Sequence, residues 1–311
     1  MFPSTAPPCR VVSRFREVSA QRTPFLADFF NFRRASGRWH SLLWGLVLTA
    51  GGCAPSLATL QPAHVAPAGH LQAAVGVEIG IPTGSIAKTV DAVRTLASDA
   101  RTQTITDAQK VQLLDAGITL ASNPPSVGQR LSIAYTPIER MEVNLQYLGA
   151  AWRLGGRFQL LNRDTGPFDL VAGLGISRLA QAIPIEDVLP VVKVDDFTRW
   201  SIDVPVLLGT SRDWFRVWGG PRFLFSQVAT NMRLELVDGE RVLASFRASG
   251  VYFGAQGGLA VGYRSVFLGV ELTVTELVAS AEVTSPLPAA NRTVDIGGLV
   301  ITPAFALMGE F

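Results

Sequence analysis

From Leu71 onward the chain alternates: Leu71, Ala73, Val75, Val77, Ile79 and Ile81 are apolar, with Gln72, Gly76, Glu78 and Gly80 between them. Successive side chains point to opposite faces of a strand, so the pattern predicts a strand with one apolar face and one polar or small face. Met141, Val143, Leu145 and Tyr147 alternate in the same way with Glu142, Asn144 and Gln146, and Trp200, Ile202, Val204, Val206 and Leu208 with Arg199, Ser201 and Asp203. Six more segments continue the pattern, near 128–136, 152–161, 168–178, 214–228, 250–264 and 266–278, and a last one covers 295–311. The prediction is about ten strands.

The connections between them alternate in length. Pro137–Arg140, Asn162–Gly166, Ser211–Asp213 and the Arg264–Ser265 step are short, whereas Thr83–Val127, Gln181–Phe197, Ala229–Ser249 and Ala279–Arg292 are long, with the Gly149 connection the exception. Short turns at one end and long loops at the other, on an even number of alternating strands, describe a membrane-spanning barrel, with the short turns on the periplasmic side. The fold expected is an all-β, antiparallel, up-and-down transmembrane β-barrel of about ten strands over residues 70–311.

The first long connection has a different period. Ile86, Val90, Val93 and Ala97 recur at helical spacing, as do Ala108, Val111, Leu114 and Ile118, the second run preceded by Thr106 with Gln109 three residues on, a capping-box arrangement. Two short amphipathic helices are predicted in an insert over 84–121. They are open to plugging the barrel or capping its mouth. Apolar stripes usually bury themselves on the nearest surface, so the reading taken is packing against the outer rim.

Composition agrees with dispersed hydrophobicity: 48% of the 311 residues are apolar and 17% charged. Apart from one short N-terminal stretch, no apolar run approaches the ~20 residues a spanning helix needs. A net charge of +2 with scattered arginines excludes a nucleic-acid footprint. With Cys9 and Cys53 both N-terminal, the body has no disulfide framework and no cysteine metal site.

Arg33, Arg34 and Arg38 precede the apolar stretch Leu42–Thr49, which ends in Ala50, Gly51, Gly52 and Cys53. The order positive, apolar, small is that of a secretory signal. Small residues before a cysteine resemble the lipobox of bacterial lipoproteins, and the resemblance implies that Cys53 is acylated and becomes the new N-terminus. Ala50 departs from the leucine usual at its position. Residues 1–52 are read as an N-terminal extension and signal, and 53–69, with Pro55, Pro62 and Pro67, as a lipidated Pro/Ala tether. Ala54 is not the aspartate that resembles an inner-membrane retention signal in enteric bacteria, which leaves outer-membrane sorting open.

The chain closes on Phe311, with Leu307, Phe305 and Ile301 behind it at even spacing. This resembles the C-terminal signature of bacterial outer-membrane β-barrel proteins, with Gly309 a departure where a bulkier residue is commoner. The resemblance implies a cell outer membrane location and recognition of Phe311 by the barrel assembly machinery. It is one of pattern and selects no functional family.

The alternation places Glu78, Arg130, Glu142, Arg153, Arg157, Asp169, Arg199, Asp203, Arg216, Arg222 and Glu271 inside. Both signs are interspersed. A closed core of paired charges is the favoured reading, since barrels near this size are largely filled by side chains and unpaired interior charges are costly. The sharper alternative is a narrow pore or carrier for small solutes, anionic ones included, lined by Arg153, Arg157, Arg216 and Arg222 with Arg199, Asp203, Glu142 and Glu271. No catalytic residue, metal or cofactor is expected: the only histidines are His40 in the signal, His64 in the tether and His70 at the start of the first strand, and Asp195–Asp196 read as solvated loop carboxylates. The Gly254–Gly262 stretch lacks the Lys-Ser/Thr of a phosphate loop. The function expected is non-catalytic, structural or surface-interacting, with outer-membrane lipid and an unknown protein or small solute as partners.

Overall fold

The computed structural model describes residues 54–99, 107–162, 166–179, 192–235, 241–284 and 292–311. The expected signal, Cys53, Thr106 and the side chains of Asp195 and Asp196 lie outside what is described. The strands are β1 (Leu71–Pro82), β2 (Ser126–Ile138), β3 (Met141–Leu148), β4 (Ala151–Leu161), β5 (Asp169–Leu179), β6 (Val192–Ser211), β7 (Phe215–Glu235), β8 (Arg241–Tyr263), β9 (Val266–Thr284), a short β10 (Thr293–Asp295) and β11 (Gly298–Glu310). Two helices, α1 (Thr83–Asp99) and α2 (Asp107–Ser122), follow β1. Each long strand pairs antiparallel with its sequence neighbour, β11 pairs with β9, and β1 closes the ring on β11, with Val77 opposite Phe305. The protein is thus a closed antiparallel barrel of ten strands, with β10 appended to the end of β9.

Alternation decides which face is which. On β1 Val75, Val77, Ile79 and Ile81 are exposed and Glu78 is buried; on β3 Met141, Val143 and Leu145 are exposed, while Glu142, Asn144 and Gln146 lie inside. The apolar exterior is bounded by two sets of aromatic residues. Tyr135, Trp214, Tyr263 and Phe311 ring the short-turn end; Tyr147 with Trp152 (centroids 5.1 Å apart) and Trp200 with Phe225 (5.4 Å) ring the other. Phe215 and Phe225 are ten residue steps apart on β7, and at ~3.3 Å per step with a ~40° tilt these span about 25 Å, the height of the apolar band of a membrane barrel.

Strands β6 to β9 are longer than the alternation predicts. Much of what reads as loop in 181–197, 229–249 and 279–292 is paired strand, with β7 and β8 in register out to Glu235 and Arg241. The reason is solvation: beyond Phe225 the outward residues turn polar, with Gln227, Asn231, Ser245, Arg247, Ser249, Ser280, Glu282 and Thr284 exposed. The backbone ladder continues there, but the apolar period that reveals a strand does not.

The helices also depart from expectation. Val111, Leu114, Ile118 and Ala121 of α2 are buried against Val228, Phe246, Ala248, Ala281 and Val283, which are inward positions of β7, β8 and β9. The stripe of α2 therefore packs inside the mouth of the barrel rather than on its outer rim. Inward apolar residues at the long-loop end give its stripe a surface on which to bury. Helix α1 keeps Ile86 and Val90 exposed and buries Ala92 and Ser85.

Candidate functional site

A barrel of eight strands is just filled by its own side chains, so ten strands leave a column of surplus space. Small inward residues widen it: Ala74 and Gly76 on β1, Gly258 and Ala260 on β8, Ala304 and Ala306 on β11. The column is occupied by the chain itself. Residues 54–69, read from sequence as a Pro/Ala tether between lipid and fold, run inside the lumen, with Leu57, Ala58, Leu60, Ala63, Val65 and Ala66 all buried. Leu60 and Ala63 pack with Leu207, Trp218, Phe267 and Met308, and Leu57 with Leu224, Tyr252, Leu277 and Val300. The tether is a plug. An extended segment without strand partners must satisfy its backbone elsewhere, and the inward charges do this.

Three guanidinium groups grip its carbonyls. Arg157 Nη1 donates to Pro62 O at 2.8 Å, Arg130 Nη1 to Ala58 O at 2.6 Å and Arg222 Nε to Leu57 O at 2.9 Å. One carboxylate takes its amides: Glu271 accepts from Thr59 N (2.6 Å), Leu60 N (2.9 Å), Thr59 Oγ1 (2.9 Å) and Trp218 Nε1 (2.8 Å). Gln159 Oε1 accepts from Val65 N at 3.3 Å. The arginines are themselves neutralised from the wall. Arg157 pairs with Glu142, with Nε to Oε1 at 2.9 Å; Asp203 accepts from Arg153 Nε (2.7 Å), Arg153 Nη2 (2.9 Å) and Arg222 Nη1 (2.9 Å). Gly175 on β5 makes room for this fork, because a Cβ there would overlap the Arg153 guanidinium.

The eight residues expected to line the lumen, Arg153, Arg157, Arg199, Asp203, Arg216, Arg222, Glu142 and Glu271, are all buried at inward positions. They fall into three levels. Arg157, Glu142, Arg153, Asp203, Arg222 and Glu271 form the middle; Arg216 lies at the short-turn end, donating to Glu310 Oε2 at 2.8 Å and stacked 3.8 Å over the Phe267 ring; Arg199 lies at the long-loop end, donating to Ser122 O at the end of α2. Above it, Arg292 pairs with Asp115 of α2. Burial raises the Asp115 carboxyl above the ordinary aspartate value, against the pull of Arg292 and Lys88.

Residues that sequence reasoning set aside enter the site. His64 is partly buried between Ser211 and Glu310: its Nδ1 lies 3.0 Å from Ser211 Oγ and its Nε2 3.0 Å from Glu310 Oε2. Hydroxyl, imidazole and carboxylate stand in the order of a hydrolytic triad, although the nitrogen facing the hydroxyl is Nδ1 and Glu310 also binds Arg216 and Gln72. No signal in the sequence joins residues 64, 211 and 310. Gln256, Thr275 and Thr302, inward on β8, β9 and β11, have buried side-chain polar atoms without a protein partner.

Two open cavities lie away from this network. One of about 500 Å³ is lined by Thr198, Asn231, Arg247, Glu282 and Thr284 on the polar extension of β6 to β9, and one of about 460 Å³ by Lys88, Asp91, Asp115, Arg292 and Asp295 beside the helices. Among the described residues no cluster of His, Cys, Asp or Glu fits a metal ion.

No protein-family model matches the chain, and no curated protein matches it. Three bacterial outer-membrane β-barrels are among the solved structures that resemble it. Neisserial surface protein A is 9% identical over 78% of this chain and 96% of its own, with a TM-score of 0.28. Ail, the attachment invasion locus protein of Yersinia pestis, is 8% identical over 78% and 99%, with a TM-score of 0.26. The outer membrane protease OmpT of Escherichia coli is 9% identical over 82% and 99%, with a TM-score of 0.37. At these identities and TM-scores the likeness carries no argument about this chain.

Proposed function

We propose that this protein is a non-catalytic outer-membrane lipoprotein barrel, sealed to solutes, that presents its long-loop face to a partner. The observation that carries the reading is the plug: residues 54–69 fill the lumen, and Arg157 and Arg222, two of the four arginines that an anion path would need, are held, like Arg130, by its carbonyls and by wall carboxylates. Helix α2 closes the mouth above it. The apolar band between two aromatic belts supports a place in the membrane, and we assign to the strand ending at Phe311 the recognition by assembly machinery. The polar extension of β6 to β9 and the exposed Ile86 and Val90 of α1 supply the surface for a protein partner.

Heat-modifiable migration on gels and co-fractionation with outer membranes test the location; extraction by carbonate with no heat shift would refute it. Liposomes carrying the purified protein are expected not to swell in small anionic or neutral solutes. Swelling that depends on Arg157 or Arg222 would favour the pore instead.

A further inference from the structure

The direction of the plug has a topological consequence. Strand β1 starts at the short-turn end, where Leu71 exchanges both backbone hydrogen bonds with Phe311 at 2.8 Å. Immediately before it the chain reverses: His70 N donates to Pro67 O at 3.1 Å, and Gly69, at φ 85°, takes a left-handed conformation open to glycine. Traced backward from there, the segment climbs the lumen. His64 sits at the level of Glu310 and Ser211, Pro62 at Arg157, Thr59 and Leu60 at Glu271, and Ser56 Oγ donates to Glu78 Oε2 at 2.8 Å. Ala54 and Pro55 lie beside Leu148, Ala151, Leu179 and Arg199. Leu148 and Ala151 flank the Gly149–Ala150 turn, so this is the long-loop end. The start of β1 and the start of the plug are at opposite ends of the barrel.

Among the described residues the wall there is at its lowest. Hairpin β3–β4 turns immediately beyond the outward pair Tyr147 and Trp152, at the height of the aromatic belt, whereas β7 continues ten residues past Phe225. Cys53 is joined to Ala54 by one peptide unit, ~3.8 Å between Cα atoms. A lipid on that residue has a short path over the β3–β4 rim into the leaflet on the long-loop side. To reach the opposite leaflet it would have to pass back down a filled lumen, or the whole segment would have to leave it.

We propose that the chain is threaded through its own barrel from the long-loop side, so that the lipid on Cys53 is held in the leaflet at the long-loop face. The placement of the lipid rests on the reading of Cys53 as acylated; the threading does not. A lipid held on that side and a strand ladder starting on the other fix the plug at both ends, which resists withdrawal in either direction.

The test uses the full-length protein in intact cells. A short peptide epitope is inserted between Ala54 and Pro55, and the same epitope, in separate variants, between Glu139 and Arg140 to mark the short-turn face and between Ala289 and Ala290 to mark the long-loop connection. Heat-modifiable migration checks that each variant folds. Antibody is expected to label the first and third in intact cells with no gain on permeabilisation, and the second only after permeabilisation. If the first variant labels like the second, the threading is wrong. Mass spectrometry of the mature protein, with Cys53→Ser as the control, is read separately: acyl mass lost in that variant supports the lipid, and its absence from the wild type overturns the lipid placement while the epitope result still decides the threading.

Discussion

Glu271→Gln isolates the hold of the wall on the plug. The carboxylate accepts two backbone amides, the Thr59 hydroxyl and the Trp218 indole. A carboxamide of the same shape keeps one acceptor oxygen and turns an NH2 toward the remaining donors. In the better of its two orientations the oxygen serves Thr59 Oγ1, Leu60 N and Trp218 Nε1, and the Thr59 amide is stranded, which costs about 1–3 kcal/mol for a buried donor. The three retained bonds lose their charge assistance, worth roughly 1 kcal/mol each. Relief of a buried charge offsets a part of this, since taking a carboxylate out of water is itself costly. The balance is about 3 kcal/mol against the seated plug, or roughly a hundredfold in its release equilibrium. Hydrogen exchange read on peptides covering 57–62 measures it directly. The Thr59 and Leu60 amides are expected to exchange about a hundredfold faster, while amides of β3 and β4, held by strand pairing, keep their rates. Equal exchange in the variant and the wild type would refute the idea that Glu271 anchors the segment.

The other expectations concern the wall. Arg157→Met leaves the Glu142 carboxylate, 1% exposed, without its partner and is expected to cost about 3–5 kcal/mol in urea unfolding followed by gel mobility, most of it regained in the double variant with Glu142→Leu. A double variant no more stable than the single would show that the pair is not the source of the loss. Gly175→Ala forces the Arg153 guanidinium off Asp203 and is expected to lose about 1–3 kcal/mol in the same measurement; no change would mean that the fork is not held where the geometry puts it. Ser211→Ala removes one partner of His64 and is expected to cost about 1 kcal/mol, with the wild type inert to a fluorophosphonate probe. Covalent labelling of Ser211 would overturn the non-catalytic reading.

The strands were legible because a membrane barrel writes its two environments into alternate residues, as at Val75, Val77 and Ile79 against Glu78. The inward set of charges followed from the same parity. What escaped is what lacks an alternating partner. The upper parts of β6 to β9 are polar outside, so Ser245, Arg247 and Ser249 read like a loop although each pairs across the sheet. The plug was hidden for another reason: Leu57, Leu60 and Val65 have no period, Pro55 and Pro62 suit a linker equally well, and their partners Glu271, Arg157 and Arg222 are about a hundred residues or more away in the chain. One signal did exist. Ala74, Gly76, Gly258, Ala260, Ala304 and Ala306 are inward positions too small to fill a ten-stranded barrel, so something else had to. The stripe of α2 was likewise visible in Val111, Leu114 and Ile118, while the surface it covers depends on the inward Val228, Phe246 and Val283, far along the chain.

The central claim is that the barrel is sealed by its own N-terminal segment, and single-channel recording in planar bilayers tests it most directly. The wild-type protein, inserted and shown to be folded by its heat shift, is expected to give no resolved conductance steps. Stable ohmic steps from the wild type would contradict the account.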